Sequence, residues 1–204
     1  MPYDRQTFFD SVRGSLFTGS LNQSQVDGMT YILSTWEGAP LTEDHRWLAY
    51  CLATTFHETA RTMQPIEEHG HGAHQPYGQP DPVTGQKYFG RGFVQLTWKN
   101  NYKRATNELG LAGDDDLVKH PERALDPVIA AGVMFRGMDE AWFRAPHALK
   151  TYFNATVDDA FRAREIINGD KSVVPNWSHG VSIGKLIKGY HEKFLSALVD
   201  SHND

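Results

Sequence analysis

Cysteine is nearly absent from this chain. Cys51 is the only one in 204 residues, so no internal disulfide can form. A chain of this length buries roughly 70% of the surface its unfolded form exposes, and its 40% of hydrophobic residues can supply a core without covalent staples. Cys51 falls on an apolar helical face and reads as a core residue; a lone cysteine also suits a reducing cytoplasm. Excess positive charge is missing too. Twenty lysines and arginines against 25 acidic residues leave a net charge of −5, and no basic tract is present, which argues against a nucleic-acid partner. No basic amphipathic helix and no apolar run of membrane-spanning length occur, so no membrane partner is expected. Met1-Pro2-Tyr3-Asp4-Arg5 lacks the apolar stretch of a signal peptide. Internal repeats and low-complexity linkers are absent as well, and residues 1–204 read as a single domain.

Helical periodicity dominates what is there. Gln6 to Leu16 places Phe8, Phe9, Val12 and Leu16 on one side. Gln23 to Trp36 follows, with Asn22 or Ser24 as its cap. Thr42 opens a third helix that carries Glu43 and Asp44 in its first turn, where acids suit the dipole, and runs to about Arg61. Prolines and glycines then crowd residues 65 to 92, which predicts a long loop with at most a short hairpin. Irregular segments of that length inside a domain are often functional. Helix resumes over Thr97 to Leu109, over Val128 to Met138 with Pro127 in the first turn, and over Ala148 to Phe153, Asp158 to Ile167 and Val181 to Val199. Gly169 after Asn168 marks a C-terminal stop.

Three segments carry chemistry. Glu58, in Phe56-His57-Glu58-Thr59, shares a helical face with Cys51, Thr54 and Thr55. A carboxyl near the end of a buried face is disfavoured as an anion and suits a general acid; a solvated terminal carboxylate or a core salt bridge fits the position equally. Glu67 and Glu68 lie nine and ten residues on, in the irregular loop. A loop carboxylate facing Glu58 across a cleft would stay ionised and serve as a base, and spacing alone does not choose between the two. The block Tyr88-Phe89-Gly90-Arg91-Gly92-Phe93-Val94-Gln95-Leu96-Thr97-Trp98 supplies glycines that permit close approach. Read as a strand, it sets Gln95 and Thr97 on one surface, opposite Val94 and Leu96. An amide and a hydroxyl beside aromatic rings are what a sugar ring asks of its site. Two carboxylates and such a lining are what hydrolysis of a glycosidic bond needs. The triplet His69, His71 and His74 invites a metal, but no cysteine is near and the spacing matches no closed zinc site, so neither metal nor cofactor is expected. His57 reads as a structural hydrogen-bonding residue.

These motifs together resemble glycoside hydrolase family 19, which includes chitinases and phage or prophage lysozyme-like endolysins. Phe56-His57-Glu58-Thr59 is similar to the family's catalytic-acid motif, Tyr88 to Thr97 with Asn101-Tyr102 to its signature block, and Arg164-Glu165-Ile166-Ile167-Asn168-Gly169 to its late asparagine motif. The resemblance spans Trp47 to Gly169. It implies a mainly α, lysozyme-like α+β fold with many helices, a small loop or hairpin lobe and a central cleft. It implies Glu58 as general acid and Thr97 as the hydroxyl that holds the attacking water, with Tyr88, Gln95, Asn101 and Asn168 lining the sugar cleft. Pro65-Ile66-Glu67-Glu68-His69-Gly70 places Glu68 in the base position of the lytic relatives, with Glu67 the alternative. Phe93 stands where many chitinases carry proline, and Asp170 where many carry a second glycine. The interval between the two acids is short and the disulfides of plant chitinases are missing.

The expected function is therefore inverting hydrolysis of β-1,4 bonds between N-acetylated amino sugars in peptidoglycan, as in an endolysin or muramidase. The expected enzyme is monomeric, made in a host cytoplasm and released to the periplasmic wall by a holin or similar route. Chitin hydrolysis on the same scaffold, or an inactive wall-binding or virion-associated module, are the alternatives.

Overall fold

The computed structural model describes residues 3–202. Met1 and Pro2, part of the polar N-terminus read above, lie outside the described residues. Among the described residues, seven α-helices and one two-stranded sheet follow in chain order: α1 (Arg5–Ser15), α2 (Gln23–Gly38), α3 (His45–Glu58), β1 (Ile66–Glu67), β2 (Arg91–Gly92), α4 (Lys99–Glu108), α5 (Pro127–Asp139), α6 (Leu149–Tyr152) and α7 (Ile183–Ser201). The mainly helical expectation holds, and the small lobe is the segment around β1 and β2.

Caps explain several boundaries. Asn22, rather than Ser24, caps α2, and its side chain and that of Gln25 bond each other's backbone N–H, a reciprocal capping box. Asp44 is the cap of α3 and not part of its first turn. Asp126 caps α5 ahead of Pro127. The predicted helix over 158–167 is a correction. Asp158 pairs with Phe153 in an isolated antiparallel bridge, so the chain is still extended where the helix was to begin. Only a 3-10 turn, Arg162–Ile166, forms.

α3 is the hub. Every residue from Leu48 to Phe56 is buried, so it is apolar all round rather than along one stripe, as a central helix must be. It packs chiefly on α7, and α7 in turn on α1. Cys51 is fully buried, with its Sγ 3.8 Å from the Met138 sulfur. One consequence matters for function: α3 delivers its last residue, Glu58, from the core to the surface. The helix stops there, three residues short of the expected end. Ala60 and Arg61 take left-handed backbone (φ +48° and +69°), and Thr59, fully buried, locks the turn. Its hydroxyl donates to the Thr55 carbonyl at 2.7 Å and accepts from the Met63 N–H at 3.1 Å.

Opposite this helix end, β1 and β2 pair antiparallel, with Ile66 beside Gly92 and Glu67 beside Arg91. The strand reading that ran through Thr97 is a second correction. β2 ends at Gly92, and the chain turns back so that Arg91 and Leu96 exchange two backbone hydrogen bonds, of 3.1 and 2.8 Å. Gln95 sits in this turn with φ +56°.

Candidate active site

A cleft of about 450 Å³ runs between the end of α3, the β1–β2 lobe and the segments around 143–144 and 167–168. It is lined by Glu58, Glu68, Gln95, Thr97, Asn101 and Asn168, together with Gly90, Tyr77, Trp98 and Arg144. Six residues singled out in sequence, from four separate segments, thus meet in one groove.

Glu58 keeps 14% of its side-chain surface exposed, and its carboxylate accepts a hydrogen bond from the Arg164 guanidinium. The dry, apolar setting expected for it is corrected in this respect: a buried arginine lies against it, in the manner of a core salt bridge. Arg164 itself is 4% exposed and makes a second, two-pronged contact with Asp170 at 2.6 and 3.1 Å. Burial works against the Arg164 charge, but Glu58 and Asp170 outweigh it and hold the guanidinium above its ordinary pKa. Two carboxylates share one cation, so the cluster reaches neutrality with one added proton. Sequence reasoning quoted Arg164 only as part of a motif. A buried charge must be paired, but its burial becomes visible only when the chain is folded.

Glu68 is held from two sides. The Tyr77 hydroxyl donates to one carboxylate oxygen and the Gly90 N–H to the other, both at 3.0 Å. Burial first, and then the Glu68 carboxylate, raise the Tyr77 pKa, which keeps the phenol a donor. Gly90 lets the lobe approach closely: a Cβ there would lie 2.8 Å from the Gln95 amide oxygen and 3.2 Å from the Glu68 Cβ and would push both side chains aside. Glu67 points elsewhere. Its carboxylate pairs with Arg91 at 3.0 Å and His71 at 3.2 Å, and it does not line the cleft. Successive residues of an extended chain project to opposite faces, so Glu67, the last residue of β1, points away and Glu68, just beyond it, points into the groove. His71 also stacks on Phe89. Among the described residues, no group of three or more His, Cys, Asp or Glu could hold a metal ion.

The Gln95 amide donates to the Ile66 carbonyl at 3.1 Å. The Thr97 hydroxyl donates to the Gln95 carbonyl at 2.8 Å, so it offers the cleft an acceptor. The Asn101 amide donates to the Thr97 carbonyl at 2.9 Å, and that of Asn168 to Asp170 at 3.2 Å. Trp98, 49% exposed, meets Tyr77 edge-on at 5.0 Å. Tyr88 is the residue the structure moves out of the site. Its ring is 3% exposed, its hydroxyl bonds the Val118 carbonyl and Thr84, both at 2.8 Å, and it is not among the cleft's lining residues. The aromatic that does reach the cleft from this region is Trp98. Tyr88 instead braces the lobe from behind, against Tyr102.

No protein-family model matches the chain. A curated relative, Endochitinase CHI of Arabidopsis thaliana, is 34% identical over 94 residues, which cover 44% of this chain; the match spans only 30% of that relative's length. Among solved structures, chitinase C from Streptomyces griseus HUT6037 superposes with a TM-score of 0.57 at 21% identity, over 98% of this chain and 95% of that one. A bacterial family 19 chitinase superposes with a TM-score of 0.53 at 24% identity, over 96% and 94%. The chain has the fold of the family 19 chitinases.

Proposed function

We propose that this protein is a glycoside hydrolase that cuts β-1,4 bonds in a polymer of N-acetylated amino sugars by single displacement. The observation that carries this reading is the pair Glu58 and Glu68, two carboxylates from separate segments lining one polar, aromatic-edged cleft. Glu58 donates its proton to the glycosidic oxygen as the bond from that oxygen to the anomeric carbon breaks. The carboxylate left behind keeps its hydrogen bond from Arg164. A water that donates one hydrogen to Thr97 and the other to Glu68 keeps its lone pairs for the anomeric carbon. Its oxygen bonds that carbon as Glu68 takes the proton, and the configuration inverts. Each Glu68 oxygen already accepts one hydrogen bond and has room for another. The products are a new reducing end and a free hydroxyl.

We take peptidoglycan as the polymer. The short interval between the two acids and Glu68 in the lytic-type base position support this. Chitin is the second reading, favoured by the names of the relatives and solved structures above. Digestion of purified sacculi and of chitin oligomers in parallel, with mass spectrometry of the products, separates the two readings. It also separates either from an inactive wall-binding module, which would release nothing. Glu58→Gln is expected to lower turnover by roughly 10²–10⁴-fold, the usual worth of a general acid, with the fold retained. Full activity in that variant would remove Glu58 from the role.

A further inference from the structure

A second hollow, of about 400 Å³, lies beside the last turn of α3 and is lined by Phe56, His57, Ala60, Arg61, Trp177 and Tyr190. None of these residues lines the catalytic cleft. Three of them are aromatic rings; Phe56 is buried beneath the floor, and Trp177 and Tyr190 are the two that face outward. Trp177 is 59% exposed, and its ring lies 6.4 Å from that of His57. Tyr190 stands edge-on to Phe56 at 4.8 Å, and the Arg61 guanidinium lies 5.6 Å from the centre of the Phe56 ring. The polar tips are what set this hollow apart. Among the described residues, the Trp177 indole N–H, the His57 imidazole, the Tyr190 hydroxyl and the Arg61 guanidinium make no hydrogen bond or salt bridge within the protein. Burial lowers the His57 pKa, so at neutral pH its ring offers one donor and one acceptor, both unused. The left-handed turn at Ala60 and Arg61 costs conformational energy, and such strain concentrates at functional sites.

Flat apolar rings ringed by unspent donors match a pyranose, with one hydrophobic face and a rim of hydroxyls and amides. The volume lies within the ~300–1,000 Å³ of small-ligand pockets. The hollow is also coupled to the cleft by the chain itself. His57 precedes Glu58 on α3, and Trp177 sits on the loop that continues from Asn168 and Asp170. We infer that this hollow is a second saccharide-binding site, which holds a segment of the same N-acetylated sugar polymer outside the catalytic cleft. The inference rests on the proposed substrate class. A second site of this kind raises the effective concentration of an insoluble polymer at the cleft and gives nothing to a substrate short enough to fill the cleft alone.

The test compares wild type, Trp177→Ala and Trp177→Phe on purified sacculi, on chitin and on a soluble tetrasaccharide prepared from the polymer that wild type cuts. On the polymer that wild type cuts, Trp177→Ala is expected to bind about tenfold more weakly, the loss typical of one aromatic anchor. Trp177→Phe should recover part of that binding, and turnover of the tetrasaccharide should be unchanged. Unaltered polymer binding in Trp177→Ala overturns the inference and leaves the proposed function standing. An equal loss on the tetrasaccharide also overturns it, because Trp177 would then act through the cleft. So does a concentration-dependent dimer of wild type that Trp177→Ala abolishes, since the patch would then join two copies. If wild type cuts neither polymer, the proposed function fails, and the inference fails with it.

Discussion

Replacing Arg164 by methionine tests the charge arrangement around Glu58. Methionine fills much of the same volume, so packing is largely kept and the charge is what goes. Arg164 is 4% exposed, and Glu58 and Asp170 keep only 14% and 21% of their side-chain surface. The substitution therefore strands two carboxylates that lose their shared cation without gaining much water. Removing one partner of a buried ion pair costs about 3–5 kcal/mol. For a domain of this size each kcal/mol lowers the melting temperature by ~2–4 °C, so a fall of about 6–20 °C is expected. The assay is thermal unfolding followed by circular dichroism at neutral pH. Adding Glu58→Gln and Asp170→Asn to Arg164→Met should recover much of the stability at neutral pH and none of the activity. A melting temperature within about 2 °C of wild type for Arg164→Met, equivalent to less than ~1 kcal/mol, would refute the reasoning and show that solvent already screens the cluster.

Three further outcomes follow from the geometry. Glu68→Gln should abolish turnover on the polymer, whereas Glu67→Gln, which breaks only the pair with Arg91 and His71, should keep most of it; steady-state rates that rank the two the other way would reassign the base. Gly90→Ala should lower turnover strongly with a modest effect on stability, because the added methyl displaces Gln95 and Glu68; wild-type turnover would show that their placement is uncritical. Stability should fall in mild acid because of His191, whose burial lowers its pKa to about 4 and whose Nδ1 lacks a partner. The unfolded state then binds the proton more tightly. The contribution is complete above about pH 6.5 and is lost as pH falls toward 4, by roughly 3 kcal/mol in all. Denaturant titrations showing no change over that window would place His191 in contact with water.

The helices were legible because their signals are local. Asn22 and Pro127 are cap and start signals that act within one turn, and the structure uses both. The glycine-rich block was legible as a place of close approach, and at Gly90 a Cβ would press on both Gln95 and Glu68. Its conformation was not. A strand and a tight turn share the same short apolar alternation, and only the pairing of Arg91 with both Glu67 and Leu96 decides between them. Tyr88 was misplaced for the same reason: its side-chain direction depends on whether that stretch is extended.

From the sequence alone came the list of chemical groups: an acid ending a buried helix, two loop acids, an amide, a hydroxyl and two asparagines. Residue type is written in the chain, and periodicity tells which helix carries it. Only the tertiary structure decided which acid faces the groove, that Arg164 bridges Glu58 and Asp170, and that a second aromatic hollow lies beside the same helix end. Those facts depend on contacts between residues as far apart as 58 and 164. Such contacts are set by the packing of α3, α7 and the β1–β2 lobe, and no local pattern encodes them.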